Sequence, residues 1–404
     1  MCHIFSAAFD VLSKEPLPSM NTTVTPKTSQ NTDRLVDAHL SAAVAMSNPL
    51  VSPQLRLDGL EASQIAQRAH HLGTAAAVTR HLSRGGHGEA LSEFDRAVYP
   101  TTLARNMLSL SMADEVSTEL TRLGMRVAPL KGYAFLLDLY NKDIGVRRMF
   151  DVDMIIDRPT FVDAVPVLER LGWTRELRPP VTTRLNVESV WRRDLGQMSV
   201  KLELHRRLCL PGRYRIDHRQ LWANASTFGA DAPSWRLDPA HVLLYLAIHK
   251  AQHGFLNDCR DMIDATNLCR THRIEWLTVV DTAHRWACTA AAWLFLKRCR
   301  RAFSMPVPDE ALTLLRPPHW RARALDAMLP DATLNTDFYQ RRNNRRRLSQ
   351  KVALSVLASD TPGRETLALG AVAVRSLGDR LCASLQPESL EWLDHVPLGA
   401  RVAP

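Results

Sequence analysis

Asp151 and Asp153, one residue apart, and Glu203, two residues before His205, are the residues whose types and spacing could do chemistry. On a strand, side chains alternate, so Asp151 and Asp153 would share a face. Glu203, on a neighbouring strand, would complete a cluster of three acids. Carboxylates pressed together repel one another and are usually tolerated when a cation sits among them. Hard oxygen donors suit Mg²⁺, which commonly bridges protein carboxylates and the phosphates of a nucleotide. Lys131-Gly132 and Arg147 lie upstream of the acid pair.

The elements that must position these residues are legible in the pattern. Arg126 to Leu130 is short and apolar and stops at Lys131-Gly132. Val152, Met154, Ile155 and Ile156 read as a buried strand closed by Asp157-Arg158-Pro159. Val200, Leu202 and Leu204 alternate with Lys201 and Glu203, which puts Glu203 on the face opposite the apolar set. Gly196-Gln197 reads as the turn of a hairpin. Helical runs lie between the strands, one from Ala134 to Tyr140 and one from Phe161 to Leu171, the latter ending at Gly172 as a C-cap. Strand, helix, strand, helix and hairpin suit a small mixed sheet with helices packed on it.

Lys131-Gly132, Tyr140, Arg147, Asp151-Val152-Asp153 and Glu203-Leu204-His205, in that order, resemble the nucleotidyltransferase superfamily typified by DNA polymerase β, and most closely a bacterial branch of it. The resemblance is densest over residues 125–210, with a weaker echo to about residue 305. It implies an α+β fold, a small mixed sheet embedded between helical lobes. It also implies that Asp151, Asp153 and Glu203 hold divalent ions, Mg²⁺ or Mn²⁺. Glu203 would favour deprotonation of the acceptor, and Lys131, Gly132 and Arg147 would bind the nucleotide. The chain departs from the superfamily in two places. Tyr133 stands where a Ser usually touches phosphate, leaving Lys131 or Arg147 to replace that contact, and the third acid is Glu rather than Asp.

Around that core, residues 1–34, rich in Ser, Thr, Pro and Asn, read as a disordered segment, and 35–124 as a helical N-terminal lobe. In the lobe, Ile65, Ala69, Leu72 and Ala76 recur at helical spacing. Arg84-Gly85-Gly86-His87-Gly88 breaks the run, and a long helix from Tyr99 to Leu123 follows. The core sheet takes 125–236, a second helical lobe 237–305, and a basic, mostly helical extension 306–404. Asp238-Pro239 marks a helix start. His249 and His253, four apart, lack the further ligands of a zinc site and read as hydrogen-bonding or core histidines. With Asp261 and Asp264 they are expected to pack the second lobe against the cleft.

Composition excludes several classes. An apolar share of 46% is ordinary for a globular protein. Seven cysteines without a Cys-x-x-Cys pair argue against a zinc ribbon or disulfide scaffold and fit a reducing cytoplasm. No run approaches a membrane-spanning length, so no membrane partner is expected. Between Lys297 and Lys351, thirteen basic residues face five acidic ones, which accounts for nearly all of the net charge of +9. Arg341, Arg342, Arg345, Arg346 and Arg347 could contact RNA or another polyanion.

The resulting expectation is a Mg²⁺-dependent transfer of a nucleoside monophosphate from an NTP to a hydroxyl acceptor. A peptide, a protein, a small molecule or an RNA end could serve as acceptor. A catalytically inactive nucleotide- or RNA-binding module on the same fold is the alternative.

Overall fold

The computed structural model describes residues 59–140, 143–176, 187–210, 212–228, 234–255, 259–329 and 346–363. The N-terminal segment 1–34 and Arg341, Arg342 and Arg345 of the basic cluster lie outside these residues.

Three helices precede the sheet. They are α1 (Gly59–Leu72), α2 (Ala75–Leu82) and α3 (Glu93–Arg122). Ile65, Ala69 and Leu72 line the fully buried face of α1, as their spacing predicts. The chain turns between α2 and α3 at Gly86, whose φ of 87° favours glycine. The third helix starts before Tyr99, at Glu93. Ser92 caps it by accepting from the Asp95 amide at 3.1 Å, and Pro100 is carried inside the helix. Proline is favoured in a first helical turn and costly further in. Here the capped turn before it outweighs the one lost hydrogen bond.

A five-stranded mixed sheet follows: β1 (Val127–Leu130), β2 (Val152–Ile156), β3 (Thr174–Arg175), β4 (Glu188–Leu195) and β5 (Met198–His205). The strand order is β1-β2-β5-β4-β3. Only the β2–β5 pair is parallel, and the other neighbours are antiparallel. The β4–β5 hairpin turns at Gly196-Gln197, with Leu195 opposite Met198. Helix α4 (Lys131–Asp138) follows β1 directly, and α5 (Ala164–Arg170) connects β2 to β3. Both begin three residues away from the expected positions, α4 earlier and α5 later. Helix α4 leaves the strand with no linking residue, and Arg158–Thr160 form a 3₁₀ turn before α5. Met154, Ile155, Ile156, Trp191, Leu202 and Leu204 are almost wholly buried in the core of this layer.

After a short helix α6 (His218–Ala223) and a two-stranded ribbon, β6 (Ser226–Thr227) with β7 (Trp235–Arg236), the chain is helical. Helix α7 (Pro239–Gln252) is capped by Asp238, which accepts from the Ala240 and His241 amides at 2.8 and 3.4 Å. Proline takes its first position, as the sequence predicts. Around α7 pack α8 (Arg260–Thr271), α9 (Trp276–Trp286) and α10 (Thr289–Phe303). Helices α11 (Asp309–Leu315), α12 (His319–Met328) and α13 (Arg346–Leu357) close the bundle, and α13 touches α7 and α12. Among the described residues no helix is long and apolar enough to cross a membrane.

Candidate active site

The parallel pairing of β2 and β5 sets Asp153 directly beside Glu203, and the β4–β5 pairing sets Glu188 opposite His205. Paired residues of adjacent strands share a face, so Asp153, Glu203, His205, Glu188 and Lys201 project to one side of the sheet. Val200, Leu202 and Leu204 go into the core on the other side. One ligand atom from each of Asp153, Glu203 and His205 lies within 4.8 Å of the others. Asp151 belongs to the bend before β2 rather than to the strand, so the two aspartates approach from different backbone settings.

Asp153 has its own cations, while Glu203 and Asp151 share Lys201. Lys131 Nζ donates to Asp153 Oδ1 at 2.8 Å, and His205 Nε2 lies 3.0 Å from the same oxygen. Lys201 Nζ donates to Glu203, its neighbour two positions along the same face. Asp151 has only Lys201 Nζ at 4.0 Å. Burial, together with Asp153 and Glu203, pushes the Asp151 carboxyl up to about 6, against the pull of Lys131 and Lys201. Burial would raise Asp153 as well, but Lys131 and His205 hold it well below the usual carboxylate range. Burial likewise opposes the charge on Lys131, but Asp153 keeps that amine well above its ordinary value. The ring of Tyr245, from α7, is buried within electrostatic reach of Lys131, Asp153, Glu203 and Glu188.

Lys131 has a φ of 45°, a left-handed backbone rare for a residue with a side chain. Such strain costs roughly 1–3 kcal/mol and persists where its surroundings fix it. Here the residue joins β1 to α4 without a linker, and its amine reaches Asp153.

Arg147, expected to face phosphate, is instead buried against a carboxylate. Its Nε donates to Asp264 Oδ1 and Oδ2 at 2.9 and 2.8 Å, and its Nη2 lies 2.7 Å from Oδ2. Asp264 is fully buried and also accepts from the Tyr140 hydroxyl. Gly132 has its role through this arginine. A Cβ there would lie 2.3 Å from Arg147 Nη1 and 2.8 Å from Met149 Cγ. Tyr133 also turns away from the acids, donating to Asp114 of α3 at 2.7 Å. Its hydroxyl anchors α4 to α3. Asn106 fixes the loop before β2 by donating to the Ile144 and Arg147 carbonyls at 2.5 and 2.7 Å and accepting from the Met149 amide at 3.3 Å.

His249 is bound to Asp261, with Nδ1 3.0 Å from Oδ2, and its ring meets that of His253 at 4.6 Å. Neither histidine joins a metal-sized cluster among the described residues. With Asp264, these contacts tie α8 and α7 to the loop that carries Arg147, the packing role expected of them. The described cysteines, Cys209, Cys259, Cys269, Cys288 and Cys299, are buried free thiols. Sequence reasoning missed Glu188, Lys201 and Tyr245. Counting outward from Gly196-Gln197 pairs Glu188 with His205, so the hairpin held a usable signal for the first. Tyr245 arrives from a distant helix and has no local one.

The donor set fits a divalent cation. Two carboxylates and an imidazole lie within coordination reach of a common point, and Asp151 beside them is held only loosely, by Lys201 Nζ at 4.0 Å. Three side chains that could hold such an ion, Asp153, Glu203 and His205, come from two paired strands, and Asp151 stands at their edge.

Residues 58–304 match the model of a family described as "Uncharacterised nucleotidyltransferase". No curated protein and no solved structure matches the chain.

Proposed function

We propose, from the premise that this chain belongs to the uncharacterised nucleotidyltransferase family, that it transfers a nucleoside monophosphate from an NTP to a hydroxyl acceptor at the Asp151–Asp153–Glu203 cluster. The observation that carries this reading is the convergence of the acids at one buried place, where burial, with Asp153 and Glu203 beside it, pushes the Asp151 carboxyl up to about 6. A bound Mg²⁺ or Mn²⁺ would supply the counter-charge for these carboxylates and for the phosphates of the nucleotide. Asp151 and Asp153 would hold it, with Glu203 and His205 completing the donors.

In the reaction the acceptor oxygen forms a bond to the α-phosphorus, the bond from that phosphorus to the bridging oxygen breaks, and pyrophosphate leaves. Glu203 accepts the acceptor's proton. Lys131, at the start of α4 and next to the acids, provides the positive charge for phosphate oxygens together with the first amides of that helix. Gly132 keeps this helix start close to Arg147, which serves as the fixed wall behind it.

One observation favours a second reading, an inactive nucleotide-binding module. Lys131 already occupies Asp153 Oδ1, the place of a metal's charge. The two readings separate in a screen of NTPs labelled at the α-phosphate, incubated with the full chain, Mg²⁺ and cell extract. Label carried onto an acceptor, with pyrophosphate released and both lost with EDTA, supports transfer. Nucleotide bound with no label moved to any acceptor supports the module.

A further inference from the structure

We infer that Arg158, Arg207 and His218 form an anion site for a phosphate group, separate from the acids, where β2 and β5 end. These strands run parallel, with Ile155 beside His205, so the chain leaves both at the same edge of the sheet. Arg158 comes five residues after Asp153 and Arg207 four after Glu203, each roughly 15 Å of extended chain beyond its acid. Arg206 stacks over Phe161, in the turn that Arg158 opens, with its guanidinium carbon 5.6 Å from the ring centre. His218 begins α6 and feels the charge of both Arg158 and Arg207.

Arginine charge dominates here, and Asp217 offsets it only in part at His218. Arg207 is repelled by Arg158 and Arg206. The acids nearest in sequence are engaged elsewhere. Asp157 takes a hydrogen bond from Arg126, and Asp217 caps α6 by accepting from the Arg219 and Gln220 amides at 2.9 and 3.3 Å. Among the described residues neither Arg158 nor Arg207 has an ion pair. Arg207 Nε and His218 Nε2 are both shut off from solvent without a hydrogen-bond partner. Orphaned buried nitrogens are rare and costly. A phosphate supplies acceptor oxygens to such a set, and arginine's planar fork matches it. A solvated basic face would not bury those nitrogens.

The test is calorimetric titration of the full chain with inorganic phosphate in EDTA, which keeps any metal from drawing phosphate to the acids. One saturable site is expected, with affinity unchanged in Asp153→Asn and weakened about tenfold or more in Arg158→Ala, the scale of one lost charge-assisted contact. Arg158 is exposed, so its replacement leaves the fold in place. Arg207→Lys keeps the charge but loses the fork, and should also weaken binding. Absence of saturable binding by the wild-type chain would overturn the site. So would unchanged affinity in both arginine variants, or loss of binding in Asp153→Asn. None of these results bears on nucleotide transfer.

Discussion

Asp153 has Lys131 and His205 against one oxygen, Glu203 has Lys201, and Asp151 has only an amine 4.0 Å away. This imbalance has a pH signature. The Asp151 carboxyl is raised to about 6 in the folded state from an ordinary 3.8, so the native state holds the proton more tightly. Stability from this group is therefore present at low pH and lost as pH rises from about 4 to 6. The side chain is 35% exposed, and after allowance for solvent screening the loss is about 1–2 kcal/mol. Denaturant unfolding of the metal-free protein across that range should show the slope, and Asp151→Asn should remove it. Lys131→Ala works the other way. It leaves Asp153 buried without its main counter-charge and should destabilise the metal-free fold by about 3–5 kcal/mol. Mg²⁺ or Mn²⁺ should restore much of that, and thermal melts with and without the ion would measure it. At this scale the sequence named the acids and Lys131 because spacing exposes charge. It misassigned Arg147, because nothing near residue 147 announces Asp264, which lies 117 positions away.

Elements bring these side chains together through two registers and one close approach. The β2–β5 register puts Asp153 beside Glu203, and the two strands were readable from different signals, β5 from its apolar alternation and β2 from its short apolar run. The start of α4 was misread by three residues, since a lysine in a left-handed conformation carries no sequence mark. The close approach is Gly132 against Arg147. Gly132→Ala should push the guanidinium off Asp264 and destabilise by roughly 1–3 kcal/mol, the usual scale of overpacking. Asn106→Ala tests the loop between α4 and β2. It removes contacts to the Ile144 and Arg147 carbonyls and to the Met149 amide. Unfolding should become easier by about 2–4 kcal/mol, with buried backbone groups left unpaired. Equilibrium unfolding in urea gives both values, and an unchanged midpoint for either variant would contradict the packing described.

Across the whole molecule, helices α10 and α12 are joined to the end of α13 by long-range contacts that no local pattern reveals. Asp360 accepts from the Thr289 amide and hydroxyl at 2.5 and 2.7 Å, capping α10 from 71 residues away. Arg321 donates to the Leu357 and Ser359 carbonyls. Asp360→Ala should lower stability by about 1–2 kcal/mol. The uneven charge was plain from composition, but of the arginine cluster only Arg346 and Arg347 fall within a described element, α13. The proposed polyanion contact therefore rests on charge alone, and a steep fall of RNA affinity with salt would be its mark. The acids are proposed to form a divalent-metal centre that engages a nucleoside triphosphate. Its most direct test is a Mn²⁺ titration of the full chain followed by electron paramagnetic resonance, with and without a non-hydrolysable NTP analogue. Saturable Mn²⁺ binding is expected, tightening with the analogue and lost in Asp153→Asn, whose circular dichroism stays that of the native protein. Wild-type protein that takes up no Mn²⁺, or an Asp153→Asn protein that binds it equally well, would contradict a metal centre at these acids.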